Sequence, residues 1–250
     1  MTQLNNKIAI VTGSGGGFGE GIAKAYVLEG ARVIVADING EAAVRVATAL
    51  GAHASAITCD VTRADQVQAL VAHCVKTFGI PDIVVNNAGT THKNSPMLDV
   101  NEAMFDKVFA VNVKSIFHMT HAVLPLMRQN KHGVILNIGS TAGIRPRPGL
   151  SWYNASKGAV NVLSKSMAVE LGPENIRVNA VCPVMGVTAL FEDFMGLPDT
   201  PANRAKFMST IPLGRFSQPS DIAAACVFLA SDAAEFFTGL EMPVDGGRTI

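Results

Sequence analysis

Seven short apolar runs recur along this chain, the first six each followed by a segment of helical periodicity, and that alternation limits the fold more than any other feature. The runs Lys7 to Thr12, Arg32 to Asp37, Ala54 to Thr58, Ile83 to Asn86, Val134 to Ile138, Arg177 to Val181 and Glu241 to Val244 have strand length. Segments near 18–30, 40–50, 63–78, 102–130, 152–171 and 220–230 repeat their apolar residues as helices do. Parallel strands need crossovers, and right-handed crossovers with helices on both faces close into one architecture. The pattern therefore predicts an α/β, doubly wound (Rossmann) fold with a seven-stranded parallel sheet. With 250 residues, 48% of them hydrophobic, and no linker or internal repeat, the chain is expected to form a single domain over 1–250.

Charge and cysteine usage narrow the chemistry. Twenty basic and 20 acidic residues cancel to a net charge of +0, which leaves no broad footprint for nucleic acid or an anionic membrane. The opening Met-Thr-Gln-Leu-Asn-Asn-Lys lacks the apolar core of a signal peptide, and no apolar run is long enough to span a bilayer. A cytoplasmic protein is expected. Cys59, Cys74, Cys182 and Cys226 are too scattered for a zinc site or redox dithiol, and His118 and His121 lack an acidic companion, so no metal is expected.

In such sheets ligands bind beyond the carboxyl ends of the strands. The chemically informative residues fall there. Thr12-Gly13-Ser14-Gly15-Gly16-Gly17-Phe18-Gly19 joins the first strand to the first helix, where glycines let backbone approach a pyrophosphate at a helix N-terminus. Asp37 ends the second strand, placed to accept hydrogen bonds from an adenosine ribose and to repel a 2′-phosphate; helix capping is its plainer role. No arginine or lysine lies within the glycine loop or directly after Asp37, so NAD is expected over NADP. Asp60 and Val61 would border the adenine by the same logic, with capping again the alternative.

Tyr153 and Lys157 stand four residues apart in a helical segment and so share a face. An ammonium beside a phenol favours the phenolate, which makes Tyr153 a candidate general acid/base.

Together these residues resemble the short-chain dehydrogenase/reductase family. TGxxxGxG occurs as Thr12 to Gly19, NNAG as Asn86 to Gly89, a lone asparagine as Asn112, a serine as Ser140 and YxxxK as Tyr153 to Lys157, with Val244-Asp245-Gly246-Gly247 near the end. The resemblance implies that Tyr153 exchanges a proton with the substrate oxygen while hydride moves to or from nicotinamide. It implies that Lys157 lowers the tyrosine pKa and binds the nicotinamide ribose, that Ser140 hydrogen-bonds the substrate oxygen, and that Asn112 holds a relay water. Gly13, Gly17, Phe18, Gly19, Asn87, Ala88, Gly89, Pro183 and Thr188 would contact the cofactor. One departure stands out: Val184 occupies a position that is usually glycine, and a β-branched residue resists positive φ, so the loop would take another path using Gly186.

Residues 189–216 read as an apolar helical lid whose Phe191 and Phe194 would line the substrate pocket or only pack the lid down. Arg145 and Arg147 lie between Ser140 and Tyr153 at the expected pocket rim, beside Trp152, where they would clamp an acidic substrate or remain solvated.

Two family branches compete. The 3-oxoacyl-carrier-protein reductases usually carry a basic docking residue where this chain has Glu174, the wrong charge for an acidic carrier. Dehydrogenases of aromatic sulfonate breakdown resemble it more in Asn87 to His92, Arg145-Pro146, Trp152-Tyr153 and Phe194-Met195-Gly196. The expected activity is thus NAD(H)-dependent interconversion of a small alcohol and its aldehyde or ketone. A 3-oxoacyl thioester reductase and a non-catalytic NAD-binding sensor or scaffold are the alternatives. A homotetramer is expected from the family.

Overall fold

The computed structural model describes residues 2–186 and 190–250. The apolar runs form β1 (Ile8–Thr12), β2 (Arg32–Asp37), β3 (Ala54–Thr58), β4 (Ile83–Asn86), β5 (Gly133–Ile138), β6 (Ile176–Pro183) and β7 (Glu241–Val244). They make one parallel sheet in the order β3-β2-β1-β4-β5-β6-β7. The order reverses between β1 and β4, so a crevice opens where the ends of those two strands part.

Helices α1 (Gly17–Leu28), α2 (Gly40–Leu50), α3 (Ala64–Thr77), α4 (Glu102–Phe109), α5 (Ser115–Asn130), α6 (Ser151–Leu171), α7 (Phe191–Met195), α8 (Pro201–Met208) and α9 (Pro219–Ala230) complete the chain. Alternation along the strands divides the core in two. Ala9, Val11, Val33 and Val35 face α1, α2 and α9 through Ile22, Tyr26, Val46 and Ile222. Ile8, Ile10 and Ile34 point the other way, against Leu70, Met119 and Met167 of α3, α5 and α6. Successive strand residues alternate faces, which is why the runs read as continuously apolar.

Segment 102–130, expected as one helix, is interrupted. A π-helical turn, Ala110–Lys114, joins α4 to α5. The extra residue of a π turn re-aims the side chains beside it, a device frequent at functional sites. Here it carries the buried Asn112.

α7 and α8 bring their own small cluster, Phe191, Met195, Ile211 and Phe216 with Val184, separate from the two main cores. No helix among the described residues is long and apolar enough to cross a membrane.

Candidate active site

A cleft of about 640 Å³ runs along the strand ends from the glycine loop to α7. Gly13, Gly17, Phe18, Asp37, Asp60, Val61, Asn87, Ala88, Gly89, Ser140, Tyr153, Lys157 and Pro183 all line it. Thr188 lies outside the described residues, as does the first residue expected of the lid.

The glycine loop is held from below. Gly13 and Gly17 take φ of 61° and 55°, which only glycine adopts without strain. Asn87 Nδ2 donates to the Thr12 and Gly13 carbonyls at 2.8 and 2.9 Å, and the Asn87 and Ala88 amides donate to Thr12 Oγ1 at 3.0 and 3.1 Å. Gly19 does not reach the cleft; a β-carbon there would sit 2.3 Å from the Gly13 carbonyl oxygen, so its role is close packing of α1 on the loop. Asp37 accepts from the Gly15 and Asn39 amides at 2.8 and 2.9 Å. Asp60 closes the turn before α3, accepting from the Thr62 amide and hydroxyl at 2.9 and 2.7 Å, but it does not cap the helix, whose N-cap is Arg63.

One cation near this end escaped the sequence reading. Arg45 of α2 donates to the Gly15 carbonyl at 2.8 Å and pairs with Glu20 at 2.9 Å. The arginine hydrogen bond is the main reason the Glu20 carboxyl falls to about 2. Arg45 is therefore committed to bracing the loop.

Tyr153 and Lys157 share the inner face of α6 and are both buried. The Lys157 ammonium donates to the Ile138 carbonyl at 2.8 Å, fastening α6 to the end of β5. Burial pulls it down to about 8. The expected depression of the phenol by Lys157 is corrected here: burial pushes Tyr153 up to about 12, and the groups acting against that rise are Ser140 and Arg147. Removing a phenolate from water outweighs those neighbours. Ser140 is held by its own turn, its Oγ accepting from the Ala142 amide at 3.0 Å while the residue stays extended.

Asn112 does not face the cleft directly. Its Oδ1 accepts from the Thr90 amide at 2.8 Å, and its Nδ2 donates to the Thr90 carbonyl and Ser156 Oγ, both at 2.9 Å. A β-carbon on Gly89 would lie 3.5 Å from Asn112 Oδ1 and 3.6 Å from Lys157 Nζ, so bare backbone at this position leaves space beside the ammonium.

Val184 resolves without strain. Its φ is not positive, and Gly186 is needed for proximity instead, because a β-carbon there would come 2.5 Å from Phe18 Cζ. Ser217 Oγ donates to the Val184 carbonyl at 3.0 Å and secures the loop.

At the substrate end the expected residues divide. Phe194 lines the cleft, its ring 5.0 Å from that of Tyr153. Phe191 instead packs inside the lid, edge-on to Phe216 at 5.0 Å. Trp152 turns away, since helix neighbours diverge by about 100°. Its Nε1 donates to the Met97 carbonyl at 3.2 Å and its ring meets Phe105 at 5.4 Å. Arg145 borders the cleft, but its guanidinium donates to the Arg248 and Ile250 main-chain oxygens at 2.9 and 3.2 Å. Arg147 and Arg248 line the same region, and Arg248 was not found from sequence.

A family profile described as enoyl-(acyl carrier protein) reductase matches residues 13–249. A 4-formylbenzenesulfonate dehydrogenase of Comamonas testosteroni is 49% identical over 99% of this chain and 100% of its own length. A 3-oxoacyl-acyl-carrier-protein reductase of Thermotoga maritima is 37% identical over 99% and 100%. The crystal structure of a Brucella melitensis 3-ketoacyl-(acyl-carrier-protein) reductase complexed with NADH superimposes with a TM-score of 0.95 at 42% identity, covering 99% of this chain and 100% of that one.

Proposed function

The chain belongs to the short-chain dehydrogenase/reductase family and is an oxidoreductase; from that premise we propose that it interconverts an alcohol and its aldehyde or ketone with NAD(H), Tyr153 carrying the proton. The observation that carries this reading is the convergence of Ser140, Tyr153 and Lys157 on one cleft that continues to the glycine loop.

The residues fit a dinucleotide. Nicotinamide supplies the hydride acceptor or donor. The loop offers its backbone and the N-terminus of α1 to the pyrophosphate. Asp37 would receive the adenosine ribose hydroxyls and exclude a 2′-phosphate, and Asp60 and Val61 would border the adenine. Asn87, Ala88 and Gly89 would keep loop and ribose in register and Pro183 would border the nicotinamide; Thr188, which lies outside the described residues, is a further candidate for the cofactor. Lys157 holds the nicotinamide ribose.

At the reacting carbon, Tyr153 gives its phenolic proton to the carbonyl oxygen during reduction, and in oxidation it takes the hydroxyl proton after first losing its own, as the phenolate. Ser140 donates to the substrate oxygen as charge develops there, a contribution of about 10²-fold or more. Asn112 sets the positions of Thr90 and Ser156, beside the route by which Lys157 passes protons to solvent. Residues 190–216 act as a lid that excludes water.

Oxidation of aromatic alcohols, sugar alcohols, hydroxy acids and hydroxyacyl thioesters, followed by nicotinamide absorbance, tests the reading. NAD-linked turnover of at least one class is expected; NAD binding with no turnover anywhere would favour a sensor or scaffold. A 3-oxoacyl thioester reductase is the second reading, because 3-oxoacyl-acyl-carrier-protein reductases are similar to this chain along nearly its whole length. Against it, Glu174 pairs with Arg128 at 2.6 Å, cancelling the nearby cation that an acidic carrier would seek.

Residues 1–250 act as one cofactor-binding and catalytic domain. The exposed apolar side chains Phe117, Val162 and Val169 on α5 and α6 support association into a homotetramer, which solution mass would verify. Four free, buried cysteines suit the reducing cytoplasm.

A further inference from the structure

Two guanidinium groups at the substrate end form no ion pair among the described residues, although the Asp245 carboxylate acts on Arg248 from a distance. Arg147, between β5 and α6, is half-buried, and its guanidinium lies 5.3 Å from the centre of the Phe207 ring. It lines the cleft together with Tyr153, Phe194 and Arg248. All ion pairs among the described residues use other cations. Asp245, the acid nearest Arg248 in sequence, is occupied: its carboxylate accepts from the Gly247 amide at 2.9 Å and from the Thr249 amide and hydroxyl at 2.9 and 2.7 Å. Arg145 borders the cleft but spends its guanidinium on the Arg248 and Ile250 main-chain oxygens, tying down the segment that carries Arg248.

The electrostatics agree with this placement. Burial, then the charge of Arg248, pulls the Arg147 guanidinium below its usual pKa, while Tyr153 acts in the opposite direction. Arg147 thus feels both a second cation and the reacting phenol, and all three groups line the same cleft. Two partly desolvated like charges repel, and an anion between them relieves both costs. Guanidinium forks match the paired oxygens of carboxylates and sulfonates. Phe194 against Tyr153, and Phe207 under Arg147, give the intervening space flat apolar walls.

We propose that Arg147 and Arg248 seat an oxyanion of the substrate, a carboxylate or sulfonate at the end of a flat apolar body opposite the reacting carbon–oxygen bond. The enzyme is then selective for anionic aryl alcohols and aldehydes. This assignment rests on the oxidoreductase reading and adds the substrate class.

The test compares benzyl alcohol, 4-carboxybenzyl alcohol and 4-sulfobenzyl alcohol as substrates with NAD, in wild type, Arg147→Met, Arg147→Lys and Arg248→Met. Calorimetric titration of benzoate and benzenesulfonate into the NAD-saturated proteins runs alongside. In Arg147→Met the anionic-to-neutral ratio of kcat/KM should fall by about 10- to 100-fold, mostly through KM, with partial rescue in Arg147→Lys. Affinity for the two anions should fall in parallel, and the tighter of them identifies the preferred oxyanion. Equal losses on all three alcohols would mean that Arg147 only places Tyr153, and unchanged affinity for both anions would remove the seat; either result overturns the proposal. If wild type oxidises all three alcohols without preference, the oxidoreductase reading stands and the seat is wrong. If it oxidises none yet binds both anions through Arg147, the seat stands and the activity is wrong.

Discussion

Replacing Asp37 with asparagine removes one charge at nearly constant shape, together with one of its two main-chain hydrogen bonds because an amide nitrogen cannot accept, and so tests what the carboxylate does to cofactor choice. The side chain is half-buried at the mouth of the cleft and fixed by two amides, Gly15 and Asn39, at 2.8 and 2.9 Å. A 2′-phosphate bound where the ribose hydroxyls sit would bring about 1.5 to 2 negative charges to roughly 4 Å from it. Each unit pair at that distance repels by about 1 kcal/mol in water and about 4 kcal/mol at an effective dielectric of 20. A rim position lies between these limits, so the penalty against NADP should be about 2 to 4 kcal/mol. Asp37→Asn also weakens a charge-assisted bond to the ribose of NAD, a loss of about 1 kcal/mol or more. The ratio of NADP to NAD affinity should therefore shift by about 10²-fold or more. Arg45 supplies little compensation because Glu20 and the Gly15 carbonyl already hold it. Fluorescence titration with NADH and NADPH at low and high salt measures the shift, and discrimination in wild type should shrink as salt rises. A ratio within about threefold of wild type, in a variant whose melting temperature is preserved, would refute exclusion by charge.

Lys157→Met tests the cost of the buried ammonium. A fall from its ordinary 10.5 to about 8 on burial corresponds to about 3 kcal/mol. The folded state binds fewer protons than the unfolded one between those values, so the penalty is complete below pH 8 and disappears as pH rises through 10.5. Losing the bond to the Ile138 carbonyl returns about 1 to 3 kcal/mol of that gain. The variant should accordingly be no less stable than wild type at pH 7 by denaturant titration while losing turnover; marked destabilisation would contradict the burial argument. Gly19→Ala places a β-carbon 2.3 Å from a backbone oxygen and 2.5 Å from Asn87 Nδ2. Cofactor affinity should drop by about tenfold or more as the loop shifts, and unaltered NADH titration would show that the packing is dispensable.

Much of this molecule could be read from residue order, for identifiable reasons. Strands such as Ile8–Thr12 are apolar on both faces, and the residues that follow them are glycine, aspartate, asparagine or serine because the ends face a crevice. Properties set by distant neighbours were not readable. Arg248 reaches the cleft from beyond β7, Arg45 reaches the glycine loop from α2, and neither lies in a motif. Trp152 sits next to Tyr153 in sequence yet points at Phe105, since adjacency along a helix is not adjacency in space. The pattern at 102–130 is helical throughout, and a π turn alters it by one residue without disturbing the apolar spacing enough to announce itself. The shift of the phenol reverses the expectation drawn from its lysine neighbour, because burial is a property of the whole fold.

The account depends most on Tyr153 as the group that exchanges the proton. Tyr153→Phe keeps the ring against Phe194 and removes only the hydroxyl. Single-turnover oxidation of a substrate found in the alcohol screen, with NADH binding titrated on the same samples, should give a rate lower by about 10² to 10⁴ with cofactor affinity within about threefold of wild type. A rate within tenfold of wild type would contradict it.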